Sequence, residues 1–307
     1  MIDPLSALAI RHGTDKFGFH DYTPNYHRLF APFRDRAVRL LEIGVGGYAD
    51  EDRGGQSLAT WRDYFPRGQV TGIDIQRKAI PLGERVRILQ GSQVDAAFLA
   101  RVVAERGPFD LIVDDGSHRN EHVVDSFRLL FPTLEPGGIY VVEDVQTAFL
   151  PRFGGSLDLA APNTVGFFAA MLDGAEGVAG IERFHNMIAV RKAGDAPHGL
   201  LDSPAWGEAG ALERLSADAD EAAFRAAFAR LPEPGLLAVE GRPGPALLDL
   251  LRHLFAQVDH REMRAGFPDA PLDPLARQLR CIEVHADGAL VLKAPNDYPS
   301  NFAFDPD

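Results

Sequence analysis

Two acidic doublets could do chemistry. Asp114 and Asp115 lie in VDDGSH (residues 113–118), and Glu143 and Asp144 lie in VVEDV (residues 141–145). Positions 115 and 143 are 28 residues apart, room for one crossover helix and its turns between two parallel strands. If both doublets end such strands, three or four carboxylates converge at one sheet edge. With no Lys or Arg between them, they would raise one another's pKa, and a divalent cation removes that cost. All-oxygen donors select a hard ion, Mg²⁺ first, with Mn²⁺ or Ca²⁺ as alternatives. Such an ion can take two vicinal hydroxyls and acidify one of them. His118, three residues past Asp115, is placed to accept the proton as general base, with His122 as the alternative. The bland reading of each doublet alone is a helix cap or a solvated turn.

A second constellation precedes the first. Glu42-Ile43-Gly44-Val45-Gly46-Gly47 reads as a strand end running into a glycine turn, where the backbone can approach a ligand closely. Asp74 closes the next apolar run, GIDI, 28 residues past Gly46. A carboxylate there can accept both ribose hydroxyls of an adenosine ligand, or can merely cap a following helix. A nicotinamide cofactor is the obvious rival, and the glycines alone do not exclude it. The loop YADEDRGGQS (48–57) argues against it. Where a pyrophosphate needs a helix N-terminus, this loop is long and carries Asp50, Glu51 and Asp52. It would repel a diphosphate and tolerate a sulfonium.

These tips need strands to carry them. Short apolar runs at 37–44, 69–75, 85–91, 109–117 and 139–145 alternate with helical patterns at 57–66, 96–107 and 122–138. The last of these helices is stopped by Pro-Gly-Gly. The alternation describes βαβ units and a doubly wound parallel sheet, which binds ligands at the carboxyl ends of its strands. Beyond 150 the pattern loosens. Residues 181–193 read as a strand or hairpin arm, and 195–235 as a helical insertion or linker. Residues 236–241 and 246–258 read as a strand and a helix, and 281–294 as a hairpin turning at Asp287-Gly288. Glu283 and His285 are expected on a strand surface.

LLEIGVGGY, GGQSLATWRDYFP, VTGIDI, LIVDDGSH and IYVVEDVQTAF resemble the class I S-adenosylmethionine (SAM)-dependent methyltransferases. More narrowly, they resemble the metal-dependent sugar O-methyltransferases that finish macrolides and related natural products, over roughly residues 10–194. The resemblance implies a Rossmann-like α/β sheet over 37–194, an N-terminal arm at 1–36 and a C-terminal extension at 195–307. It implies Mg²⁺ on Asp115, Glu143 and Asp144, with Asp115 and His118 catalytic. It implies SAM against Glu42, Gly44, Gly46, Ser57, Asp74, Ile75, Ser92, Gln93 and Asp114, although the family often carries aspartate where Ser92 stands. Thr14, Asp15, Lys16, Tyr22 and Tyr26 match a polar segment over the cofactor mouth. Phe149, Arg152 and Phe153 are candidates for a lid on the acceptor.

A net charge of −13 argues against sequence-independent nucleic-acid binding. No apolar run approaches the ~20 residues a membrane helix needs, and no signal peptide is expected. The single cysteine, Cys281, excludes an internal disulfide, suits a reducing cytoplasm and is expected to be a buried small hydrophobe. The expected partners are a small glycosylated substrate and a second copy of the chain. The competing readings are methyl transfer to a catechol-like phenol, a nicotinamide oxidoreductase or epimerase, and a non-enzymatic binding module.

Overall fold

A computed structural model describes residues 2–194 and 210–297, which form two compact units. The first comprises residues 1–118 and 125–143. It opens with α1 (Pro4–His12), N-capped by Asp3 through Ser6 N–H at 2.8 Å and ended by Gly13 in the left-handed region. Next come α2 (Thr23–Phe30), β1 (Arg39–Ile43), α3 (Gln56–Tyr64), β2 (Gln69–Asp74) and β3 (Val86–Gln90). Then follow α4 (Ala96–Arg106), β4 (Phe109–Asp114), α5 (Asn120–Leu130) and β5 (Leu134–Glu143).

The strands of this unit run parallel in the order β3-β2-β1-β4-β5. Leu40, Leu41, Val70, Leu111, Ile112, Val113, Tyr140, Val141 and Val142 are all buried, as strands covered on both faces require. Chain order reverses at β1, which has β2 on one side and β4 on the other. The tips of β1 and β4 therefore face the crevice where such sheets hold ligands. An aromatic cluster fixes the N-terminal helices. Trp61 of α3 packs edge-on against Tyr26 and Phe30 of α2, centroids 5.0 and 5.8 Å away. All three rings are buried, each contributing about 1.5–3 kcal/mol in apolar burial.

Two expectations are corrected here. The Pro-Gly-Gly segment does not stop α5; it lies inside β5. Pairing jumps from Phe109↔Leu134 to Leu111↔Ile139, so residues 135–138 bulge out while the strand continues. The link from β2 to β3 contains no helix: residues 75–85 cross over as irregular chain.

The second unit comprises residues 119–124 and 144–307. Its described elements are α6 (Thr164–Ala170), β6 (Val178–Phe184), β7 (Met187–Lys192), β8 (Leu212–Ser216) and α7 (Glu221–Arg230). They continue with β9 (Gly235–Glu240), α8 (Pro245–Gln257), α9 (His260–Gly266), β10 (Leu279–His285) and β11 (Gly288–Lys293). Strand order is β7-β6-β10-β11-β9-β8, antiparallel except for β8 beside β9. Since β6 pairs with β10, residues on both sides of position 195 share this sheet. α8 buries Leu247, Leu251, Leu254 and Phe255 at helical spacing. Arg183 and Asp259 form a fully buried ion pair at 2.5 Å, and Asp259 also accepts the Asn186 N–H at 2.8 Å. This ties the β6–β7 turn to the start of α9.

Residues 181–193 thus prove to be two strands and their turn. The β10–β11 hairpin turns on Ala286 and Asp287, one residue earlier than expected, because His285 pairs with Gly288. Glu283 is buried and His285 largely so, against the expected strand surface, because β10 is an interior strand between β6 and β11. Cys281 is buried as expected. Phe149 is also fully buried, with its carbonyl so close to Gly266 that a Cβ there would lie 2.2 Å from it. The expectations for 195–209 and 298–307 lie outside the described residues.

Candidate active site

The first unit brings four chain segments together at the tips of β1, β4 and β5. Glycine is obligatory at position 44. Its φ is +92°, and a Cβ there would lie 2.0 Å from the Asp115 carbonyl oxygen. The closeness is set by Asp115 N–H donating to the Ile43 carbonyl at 3.0 Å, which locks the tip of β4 against that of β1. Gly47, at φ +76°, is held as tightly: its Cβ would lie 2.1 Å from the Arg53 carbonyl oxygen, so the 48–55 loop folds back onto the turn.

Asp74 organises this turn. Its carboxylate accepts the Val45 N–H at 2.9 Å and the Gln76 N–H at 2.7 Å. No helix follows to be capped, and two of the four lone-pair sites stay available to hydroxyl donors. Beside it, Ile75 presents an exposed apolar side chain, 63% accessible, of the kind a purine ring covers. Ser57 donates to buried Glu42 at 2.8 Å. Burial pushes the Glu42 carboxyl up to about 7, against the opposing pull of Lys16. Oε1 of Glu42 has no hydrogen-bond partner.

The two residues of the first doublet face opposite ways. Asp114 turns inward, accepting from Ser126 Oγ at 2.8 Å, the Tyr140 hydroxyl at 3.0 Å and Gln93 Nε2 at 3.2 Å. Its burial raises its pKa, with the Ser126 and Tyr140 bonds opposing. Gln93 in turn accepts the Ser117 N–H at 2.8 Å. Asp114 and Gln93 therefore brace the β4 tip and the loop leading to His118. The Ser92 hydroxyl accepts from Val94 N–H at 3.3 Å. His118 itself is half-buried, with φ +56°.

Asp115 points the other way, toward Glu143 at the end of β5. Between them sits a residue the sequence reading did not place there. The Lys16 ammonium donates to Asp115 Oδ2 at 2.6 Å and to Glu143 Oε1 and Oε2 at 2.8 and 2.7 Å, and lies 3.5 Å from Glu42 Oε1. The Tyr26 hydroxyl donates to Glu143 Oε1 at 2.5 Å. The premise that no basic residue separates these carboxylates is therefore wrong. Lys16 is 99 residues from Asp115 and 127 from Glu143 in the chain, so local sequence could not reveal the contact. Burial alone would lower the Lys16 pKa, but Asp115, Glu143 and Glu42 hold it well above the usual lysine range. Burial and Asp115 together raise Glu143, with Lys16 opposing.

Asp144, the next residue after Glu143, opens the second unit with φ +52° and accepts from Asn186 Nδ2 at 3.0 Å. Asn186, in the β6–β7 turn, is a second supporting residue the sequence reading missed. The residues present suit a hard cation. Asp115 and Glu143 aim three carboxylate oxygens, the donor type a hard cation takes, at one point where a positive charge already sits, 2.6–2.8 Å from the ammonium nitrogen.

Residues 32–145 match the family described as a methyltransferase domain. The chain is 50% identical over 170 residues to 8-demethyl-8-alpha-L-rhamnosyl tetracenomycin-C 2'-O-methyltransferase of Streptomyces olivaceus, covering 55% of this chain and 45% of that one. It is 41% identical over 222 residues to mycinamicin VI 2''-O-methyltransferase of Micromonospora griseorubida, covering 66% of this chain and 55% of that one. Among solved structures it is similar to the MycE methyltransferase of the mycinamycin pathway, in complex with Mg, SAH and mycinamycin VI. That match has a TM-score of 0.60 at 43% identity, over 64% of this chain and 57% of that one. The chain spans about half the length of the curated relatives it matches. No helix among the described residues is long and apolar enough to cross a membrane. Residues 32–145 thus match a methyltransferase domain on a Rossmann-like α/β sheet, in a chain that resembles the sugar O-methyltransferases of antibiotic biosynthesis.

Proposed function

We propose that the protein is a SAM- and Mg²⁺-dependent O-methyltransferase acting on a sugar hydroxyl of a glycosylated natural product. One observation carries the reading: Asp115 and Glu143, from the tips of neighbouring strands, aim their oxygens at a single cationic point beside the glycine turn of β1. When bound, SAM supplies an electrophilic methyl group and Mg²⁺ supplies the charge that orients and acidifies an alcohol.

The chain's own residues do the rest. The turn at Gly44 and Gly46 leaves backbone open to the donor, Asp74 offers acceptors to its ribose, and Ile75 offers an apolar face to its base. Glu42 and Ser57 line the same end of β1. Asp115, Glu143 and Asp144 are the residues that would hold the ion. His118 accepts the proton of the acceptor hydroxyl on an imidazole nitrogen, which leaves the oxygen nucleophilic. Asp114 and Gln93 act through the loop they brace. In this reading residues 1–36 serve as an arm over the site, residues 37–194 carry the methyltransferase chemistry, and residues 195–307 form an extension. The lone buried Cys281 suits a cytoplasmic setting.

The test is methyl transfer to a panel of rhamnosylated and deoxysugar-bearing polyketides, read as a gain of one methylene by mass spectrometry. EDTA abolishes the product, and Asp115→Asn reduces turnover about 10²-fold or more. Undiminished turnover after metal stripping would refute the metal role.

A further inference from the structure

We infer that Lys16 is a resident stand-in cation: its ammonium holds the Asp115–Glu143 pair together until a divalent ion takes its place. The inference rests on the metal reading above and goes beyond it, since it concerns what the site contains before the ion arrives.

Lys16 is no bystander at the rim. Its side chain is 2% exposed, and its ammonium directs hydrogen bonds to the same three carboxylate oxygens that would bind the ion. An ammonium and a divalent ion cannot share that point, and two positive charges in contact within a buried site repel strongly. One must leave as the other enters. The carboxylates favour the exchange, because two or three negative charges are balanced better by a double charge than by a single one.

The local structure suits a side chain that departs while its backbone stays. The Lys16 carbonyl accepts N–H groups from Tyr22 at 2.8 Å and Thr23 at 3.1 Å, which pins the residue to the start of α2. Lysine carries a compact charge on a flexible four-carbon stem, so it can swing out by rotamer change alone. The planar fork of arginine could not. Tyr26 still donates to Glu143 when the ammonium has gone, so that carboxylate keeps its orientation.

The consequence is measurable without turnover. In the wild type, metal binding must break three hydrogen bonds from Lys16; in Lys16→Met it need not. Calorimetric titration with MnCl₂, on protein shown folded by circular dichroism, should give a dissociation constant at least about tenfold lower for Lys16→Met than for wild type. An equal or weaker affinity in the variant overturns the exchange. Absence of Mn²⁺ binding to either protein overturns the metal reading itself, so the two failures are distinguishable.

A second measurement needs only the wild type. The chain has four lysines, and Lys16 and Lys293 are the buried ones among them. The ¹⁵N-detected ammonium signal of Lys16, told from that of Lys293 by Lys293→Arg, should shift or vanish on addition of Mg²⁺. A signal unmoved at saturating Mg²⁺ overturns the exchange even if the methionine variant does not fold.

Discussion

At the scale of single residues, the two carboxylates of the first doublet have different partners, and that difference assigns their tasks. Asp114 is satisfied by Ser126, Tyr140 and Gln93; Asp115 faces a cation. Adjacent residues on a strand point to opposite faces, so one doublet serves both the core and the crevice. His118 sits at positive φ, which asparagine tolerates well, so His118→Asn removes the base with little backbone cost. We expect kcat to fall by about 10²–10⁴-fold with KM little changed; a kcat within a few-fold of wild type would remove His118 from the proton transfer. Glu42 predicts a pH effect on stability. Its carboxyl titrates near 7 in the fold, against an ordinary value of 4.5. Between those values the unfolded chain binds fewer protons than the folded one, so stability falls as pH rises through this window and levels above it. The full effect is about 3 kcal/mol at most. Glu42→Gln should flatten that part of the curve in denaturant titrations at about pH 5 and pH 7, and an unchanged slope would assign the loss to another group.

At the scale of elements, the site depends on the tip of β1 touching the tip of β4. Gly44→Ala forces a Cβ into the Asp115 carbonyl at an unfavourable φ, and neither strand can retreat without breaking its ladder. We expect a loss of at least about 2 kcal/mol in unfolding free energy, together with lost activity; a variant as stable as wild type would contradict the close approach. Much of this level was legible in the sequence. The five strand tips of the first unit follow from apolar runs ending in Gly, Asp or Glu, and the 28-residue interval does bring Asp115 and Glu143 together. Three things were not legible. The Pro-Gly-Gly run looked like a stop because a three-residue excess in pairing leaves no local mark other than the glycines themselves. The missing helix between β2 and β3 left a polar stretch that reads equally well as a long turn. Lys16 escaped because nothing near it in sequence announces its partners. The resemblance placed Lys16 in a polar segment over the cofactor mouth, between two short helices, but nothing in it named the carboxylates that the ammonium reaches.

At the scale of the whole molecule, the two units differ in what ligands should do to them. The residues proposed to hold SAM, with Asp115 and Glu143, belong to the first unit. Adding SAM and MgCl₂ should therefore slow amide hydrogen exchange around residues 42–47 and 113–118, and leave β8–β11 at their own rates. Uniform slowing, or none, would place binding elsewhere. The second unit repays its size differently: its buried Arg183–Asp259 pair and the long apolar stripe of α8 are features of a core. The ammonium lodged between Asp115 and Glu143 has one more effect, on how the protein is made. A nascent chain that brings its own counter-ion from residue 16 needs none from the surrounding medium to collapse. Magnesium starvation would then idle the protein and leave its architecture standing.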